Sequence, residues 1–312
     1  MNRDAKIFVA GHKGLVGSAI VRALQGQGYD NLIVRTRQEL ELLDNLAVKT
    51  FFSKEKPEYV FLAAAKVGGI MANSTCPADF IYQNLVVQNN VIHNAYANGV
   101  KKLLFLGSSC IYPRNCPQPI KEEYFMTGLL EPTNEAYAIA KIAGVVTCQS
   151  YNKQHGTNFI SLMPTNLYGS NDNFDLESSH VLPALIRKFH EAKIGNNKEM
   201  TLWGTGTPKR EFLHVDDLAE ACVFLMKNYN DSEIINVGTG EDISIKDLAE
   251  MIKNITGYSG KIIWDTSKPD GMPRKLLNVS KIQTLGWQHK IKLENGIATT
   301  YEWFKRKVDS IV

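Results

Sequence analysis

Tyr137 and Lys141 stand four residues apart in NEAYAIAKIAG, a helical pattern, so they share one helix face about one turn apart. An ammonium beside a phenol stabilises the phenolate, drawing a pKa of about 10 toward the working range of a general acid or base. Upstream, LGSSCIYP (106–113) sets Ser108 and Cys110 at the end of an apolar run that Pro113 stops. A serine hydroxyl there can donate a hydrogen bond to a developing oxyanion. Each signal alone is weak. YxxxK is more often an ordinary helix face, and a cysteine at a strand end is more often a small apolar core residue.

The glycine loop GHKGLVG gives them company, directly after the apolar run KIFVAG. Gly11, Gly14 and Gly17 have GxxGxxG spacing, with His12, Lys13, Leu15 and Val16 between them, and the loop opens into a helix. In that setting glycines let the backbone approach a pyrophosphate, which the helix N-terminus meets with unpaired N–H groups. A tight turn without a ligand is the plain alternative. At the end of the next apolar run, where an NAD enzyme places an acid against the ribose 2′-hydroxyl, the chain reads IVRTRQEL. Arg35 and Arg37, with Lys13 nearby, suit a 2′-phosphate, so NADP is preferred over NAD.

Such groups must be carried by regular elements. The runs KIFVAG, NLIV, YVFLAAA, LLFLGSS and NFISLMP alternate with helical stretches at LVGSAIVRALQGQG, after Asp44, at 78–98 and at 135–155. This alternation predicts an α/β fold, a Rossmann-type doubly wound parallel sheet over 1–165. After Pro164 the rhythm loosens. SHVLPALIRKFHEAK, HVDDLAEACVFLMKN and SIKDLAEMIKNITG read as helices, the last capped by Ser244 and stopped by Gly257. TLW, IINVG and KIIW read as short strands, and SKPDGMPRK (267–275) as loop. A smaller α/β substrate domain is expected over 166–312, with some later segments returning to the first.

Composition sets the outer bounds. The 312 residues are 44% apolar and 21% charged, ordinary for a globular protein. A net charge of +3 with dispersed Lys and Arg argues against a nucleic-acid stripe or a polybasic membrane anchor. Five scattered cysteines without CxxC or HExxH argue against a disulfide framework and a zinc site, so no metal is expected. MNRDAKIFVAG has too short an apolar run for a signal peptide, and no later segment approaches a membrane span; a cytoplasmic protein is expected.

Taken in order, GxxGxxG, GSSCIYP and YxxxK resemble an extended short-chain dehydrogenase/reductase. KVGGI (66–70), EPTNEAYAIAK (131–141), MPTNLYG (163–169), REFLHVDD (210–217) and SKPDGMPRK narrow the resemblance to the GDP-L-fucose synthase family, over about residues 5–305. That resemblance implies a bifunctional enzyme that epimerises GDP-4-keto-6-deoxy-mannose at C3 and C5 and reduces it at C4 with NADPH. By resemblance the proton carriers map onto Cys110 and His180, although His180 on its own pattern in ESSHVLPAL is only a helix-start residue. Ser108 and Tyr137 would hydrogen-bond the C4 oxygen, and Lys141 would hold the nicotinamide ribose. Further cofactor contacts map onto the 11–17 loop, Leu106, Gly107, Pro164, Asn166, Leu167 and His180. Substrate contacts map onto Lys188, Trp203, Arg210 and Asp270. The family also suggests a homodimer packed through 78–98 and 135–155. Lys13 stands where the family more often carries arginine, which keeps the charge and loses the bidentate fork.

Two rivals are weighed against this. A sugar-nucleotide 4-epimerase or 4,6-dehydratase would cycle a tightly held NAD, against which Arg35, Arg37 and the Cys110/His180 pair count. A silent NADP-binding regulator on the same fold would have little use for Ser108, Cys110, Tyr137 and Lys141 together.

Overall fold

Ile7, Phe8, Val9 and Ala10 are all buried, as a strand covered on both faces requires, and form β1 (Ile7–Ala10). The computed structural model describes residues 1–268 and 270–309, and of Ile70 the backbone. Pro269, within the expected loop 267–275, and 310–312, at the end of the expected second domain, lie outside the described residues.

β1 leads into α1 (Leu15–Gly26), β2 (Leu32–Ile33), α2 (Asn45–Glu55), β3 (Tyr59–Leu62), α3 (Ile70–Thr75) and α4 (Pro77–Ala97). Then come β4 (Lys102–Leu106), α5 (Glu135–His155), β5 (Phe159–Pro164), β6 (Asn166–Tyr168) and α6 (Val181–Ile194). β7 (Glu199–Trp203), β8 (Lys209–Arg210), β9 (Phe212–His214), α7 (Val215–Asn228), β10 (Ile235–Val237) and β11 (Ile243–Ser244) follow. The chain closes with α8 (Ile245–Thr256), β12 (Lys261–Asp265), β13 (Arg274–Lys275), α9 (Ser280–Thr284) and α10 (Leu293–Asp309).

Local signals set several of these ends. The Asp44 carboxylate accepts from the Leu46 and Ala47 amides at 2.9 and 3.0 Å, a cap worth about 1 kcal/mol. Ser244 accepts from the Asp247 amide at 3.0 Å and donates to its carboxylate at 2.6 Å, and Gly257 at φ +71° ends the same helix.

The main sheet has six strands in the order β10-β5-β4-β3-β1-β2, every pairing parallel. From β1 the chain steps to β2 on one side and then back to β3 on the other, which makes the β1/β3 gap the switch point where such sheets bind ligands. Gly11, Ala63, Gly107 and Thr165 follow four of these strands directly and so share the carboxyl edge. The large core surrounds this sheet and takes in Val223 and Leu225 of α7 and Ile235 and Val237 of β10. A second cluster joins Tyr168, Leu182, Phe189, Ile252, Ile297 and Tyr301 among α6, α8 and α10.

The sequence reading left α3, α9, the long α10 and the short strands β8, β9 and β11 unassigned, and three of its own segments differ. NLIV yields only Leu32–Ile33 as strand. MPTNLYG contains β6, which pairs in parallel with β9, and the expected loop 267–275 ends in β13, which pairs with β8. Two- and three-residue strands exist because a distant segment supplies their hydrogen-bond partners, and no local pattern encodes that.

Candidate active site

β1 ends in Gly11, whose φ of +87° lies in the left-handed region and whose missing Cβ would stand 2.8 Å from the Ala64 amide nitrogen. A Cβ on Gly17 would overlap the Gly11 carbonyl oxygen, so α1 seats on the turn only with glycine there. Gly14 caps α1 without a side chain, and the first turn carries no acid, leaving that helix end open to an anion. Gly17→Ala is expected to weaken dinucleotide binding and to cost about 1–3 kcal/mol of stability, read by nicotinamide fluorescence titration and thermal unfolding.

Beside this turn, His12, Lys13, Arg35 and Glu39 gather within electrostatic range of one another. Arg35 pairs with Glu55 at 2.9 Å and donates to the Val34 carbonyl at 2.8 Å, while Arg37 pairs with Glu41 at 2.6 Å. The expected cations are thus assembled at the end of β2, with both guanidiniums engaged by carboxylates. Those pairs are partly exposed, so exchanging a carboxylate for a phosphate costs little.

The reactive groups cluster where β4 runs out. A Cβ on Gly107 would overlap the Met163 side chain, so a glycine lets β4 and β5 approach closely there. Ser108 is extended (φ −162°, ψ 147°) and its Oγ accepts from the Cys110 amide at 3.3 Å, starting a single 3₁₀ turn. The same hydroxyl lies in hydrogen-bonding reach of the Cys110 thiol and of the Tyr137 phenol. Tyr137 projects from α5 with its ring edge-on to Phe80, centroids 6.2 Å apart. Lys141, one turn on, is buried and donates to the Leu106 carbonyl at 2.7 Å, its Nζ 5.8 Å from the Tyr137 ring centre.

The electrostatics differ from the expectation that Lys141 draws the phenol's pKa down. Burial and the neighbouring thiol raise the Tyr137 pKa, opposed by Ser108, and Lys141 is itself lowered to about 8 by burial. The ammonium donates to the Leu106 carbonyl at the end of β4, and among the described residues no hydrogen bond joins it to the phenol oxygen. Tyr137 is therefore a protonated donor in this arrangement. Cys110, only 7% exposed, is raised by burial and pulled down by Lys275, Ser108 and Lys141.

His180 stands at the N-cap of α6 without a side-chain cap hydrogen bond and is exposed overall; protein packed about its ring and the Lys275 ammonium hold its pKa below the usual histidine value. Among the described residues no hydrogen bond joins His180 to Cys110, and Lys275 is their common neighbour. Asn166, at the start of β6, donates to the Glu211 carbonyl at 2.7 Å. Leu167 follows it, and Pro164 ends β5.

The remaining wall is more open. Lys188 lies 5.8 Å and Lys268 5.7 Å from the ring centre of Trp203, which is 62% exposed. Arg210 donates to the Lys209 carbonyl at 2.7 Å. Asp270 is committed to the loop opposite, accepting from the Thr205 amide at 2.9 Å and hydroxyl at 2.6 Å.

Comparison with known proteins decides the family. The pattern of the NAD dependent epimerase/dehydratase family matches residues 7–238. GDP-L-fucose synthase 1 of Arabidopsis thaliana is 61% identical over 307 residues, 98% of this chain and 95% of that protein. The chain belongs to the GDP-L-fucose synthase branch of that family. Among solved structures, a GDP-L-fucose synthetase from Naegleria fowleri bound to NADP superposes with a TM-score of 0.92 at 32% identity, covering 99% of this chain and 95% of that one. A GDP-6-OMe-4-keto-L-xylo-heptose reductase from C. jejuni gives a TM-score of 0.94 at 46% identity, covering 98% and 99%.

In this GDP-L-fucose synthase relative, the turn at Gly11–Gly17 fits a dinucleotide, because a Cβ would fill the cradle at two of its glycines and the helix end above it is uncapped. Sequence reasoning missed Lys275 and Glu211. Both lay in quoted motifs, SKPDGMPRK and REFLHVDD, where Asp270 and Arg210 drew the attention. The signal available was a cation in a Pro/Gly-punctuated segment and an acid directly before the apolar pair Phe212–Leu213.

Proposed function

We propose that one cleft at the carboxyl edge of the large sheet converts GDP-4-keto-6-deoxy-mannose to GDP-L-fucose, inverting C3 and C5 and then reducing C4. The observation that carries this reading is the Ser108 hydroxyl, in reach of both the Tyr137 phenol and the Cys110 thiol. A donor pair for the C4 oxygen thereby stands beside a proton carrier for the neighbouring carbons.

The C–H bonds at C3 and C5 flank the C4 ketone, so removing either proton gives an enolate whose charge rests on the C4 oxygen. Ser108 and Tyr137 donate to that oxygen. Cys110 exchanges the proton on one face of the ring and His180 on the other. Lys275 favours the thiolate of Cys110 and makes a protonated His180 a readier donor, the same charge acting on both carriers. Tyr137, held protonated, then supplies the proton that completes the C4 hydroxyl.

NADPH, when bound, supplies the hydride for C4. Gly11, His12, Lys13, Gly14, Leu15, Val16 and Gly17 hold its pyrophosphate end, with Arg35 and Arg37 toward the 2′-phosphate. Lys141 holds the nicotinamide ribose, and Leu106, Gly107, Pro164, Asn166, Leu167 and His180 line the ring's pocket. Lys188 and Arg210 meet the substrate diphosphate, Trp203 gives apolar contact, and Asp270 contributes at the far end.

Residues 1–165 serve the cofactor and 166–312 mainly the substrate, a division that the return of β10 to the large sheet makes uneven. The protein works in the cytoplasm as a homodimer through α4 and α5, whose exposed Tyr82, Ile139 and Val146 support that face. Among the described residues no helix is long and apolar enough to cross a membrane. Sedimentation at twice the chain mass tests the dimer.

The activity is tested by mixing the protein with NADPH and GDP-4-keto-6-deoxy-mannose in heavy water. Loss of the nicotinamide absorbance with deuterium at C3 and C5 of the product is expected. No decay at any protein concentration points to a silent NADP-binding protein, and decay without deuterium to a plain 4-reductase.

A further inference from the structure

Glu211 is fully buried, at 0% exposure, between β8 and β9, directly after Arg210. Among the described residues no Lys, Arg or His forms a salt bridge with it. Its partners are instead backbone amides from two other segments, with the Thr239 hydroxyl donating to Oε1 at 3.4 Å. Oε1 accepts from Thr239 N at 2.6 Å and Gly240 N at 2.8 Å, and Oε2 accepts from Leu277 N at 2.9 Å. A Cβ on Gly238 would overlap Oε1, so the turn after β10 closes on the carboxylate only with glycine at that point.

The peptide groups of Glu211 are used as fully. Its amide donates to the Lys275 carbonyl at 3.3 Å, and its carbonyl accepts from Asn166 Nδ2 at 2.7 Å and Thr165 Oγ1 at 3.3 Å. Strand pairing sets Lys275 directly opposite Arg210. One residue thus fastens 165–166, 238–240 and 275–277 to the strand that carries Arg210.

We propose that Glu211 is a positioning residue, whose buried carboxylate clamps these segments so that Lys275, the neighbour of Cys110 and His180, is held in fixed register beside Arg210. A carboxylate suits this task better than an amide. Three N–H groups converge on its two oxygens, and the amide nitrogen of a glutamine would set a donor against a donor. Its charge also acts on Lys275. Burial and Arg210 push the Lys275 ammonium down, and Cys110, Cys116 and then Glu211 hold it up, with His180 facing it as well; burial raises the Glu211 carboxyl itself, opposed by the amides that donate to it.

The proposal rests on the reading of the site given above, so its test has one readout that needs no turnover. Full-length Glu211→Gln and Glu211→Asp are compared with the unaltered protein by GDP titration calorimetry, NADPH titration, deuterium exchange at C3 and C5 over pH, and thermal unfolding. Glu211→Gln is expected to weaken GDP binding about tenfold and to slow exchange about a hundredfold, the scale of a misplaced group in a catalytic site, with NADPH affinity kept. Removing the negative charge lets Lys275 release its proton at lower pH, so the alkaline limb of exchange moves down in the glutamine variant and stays in place in the aspartate variant. GDP affinity unchanged in Glu211→Gln overturns the proposal whether or not the protein turns over. Equal losses in both variants that follow a lowered unfolding temperature, with the alkaline limb unmoved, also overturn it. An unaltered protein that binds GDP and exchanges no deuterium refutes the functional reading instead, and weakened GDP binding in Glu211→Gln still upholds the clamp.

Discussion

Cys110→Ser is expected to slow deuterium exchange at C3 and C5 by about a thousandfold, within the range usual for removing a general acid or base. Oxygen replaces sulfur with little change of volume at a site that is 7% exposed, so the turn that Ser108 caps should survive. The proton affinity changes drastically. Burial raises the Cys110 thiol while Lys275, Ser108 and Lys141 pull it back toward its anion, so the thiol remains a far better proton carrier than an aliphatic hydroxyl, which has no accessible anion. The loss is read by proton NMR of the sugar in heavy water. Exchange at the unaltered rate in this variant would move the role of base to another residue.

Tyr137→Phe should abolish net reduction, lowering the rate of NADPH consumption by about a thousandfold. The edge-on contact with Phe80 does not involve the hydroxyl, and Lys141 keeps its hydrogen bond to the Leu106 carbonyl, so NADPH affinity should hold. What disappears is the O–H donor at the C4 oxygen, with only Ser108 left there. Burial keeps the phenol protonated, so its loss removes both a hydrogen-bond donor and the proton held at that oxygen. A rate equal to the unaltered protein would take Tyr137 out of the mechanism.

The two substitutions separate the two halves of the chemistry. Reduction abolished with exchange slowed but retained in Tyr137→Phe, where Ser108 alone still holds the enolate oxygen, and failed exchange in Cys110→Ser, locate the acid for reduction and the proton carrier on different side chains around one carbonyl.

The sequence by itself determined what short-range geometry controls. Glycine spacing fixed the turn after β1, because Gly11 must adopt a positive φ and Gly17 must touch it. The i,i+4 spacing put Tyr137 and Lys141 one turn apart, and Asp44, Ser244 and Gly257 marked helix ends. The alternation of apolar runs with helices was enough for the parallel sheet. Only the tertiary structure decided where the charges point. Lys141 donates to a backbone carbonyl, leaving the phenol raised, because burial outweighs an ammonium whose hydrogen bond lies elsewhere. Lys275 and Glu211 acquire their neighbours through the pairing of β8 with β13, segments some 65 residues apart that no local periodicity joins. Hydrogen-bond partners that distant are chosen by the packed core, and so the wall of the cleft was the part of this protein that its sequence left open.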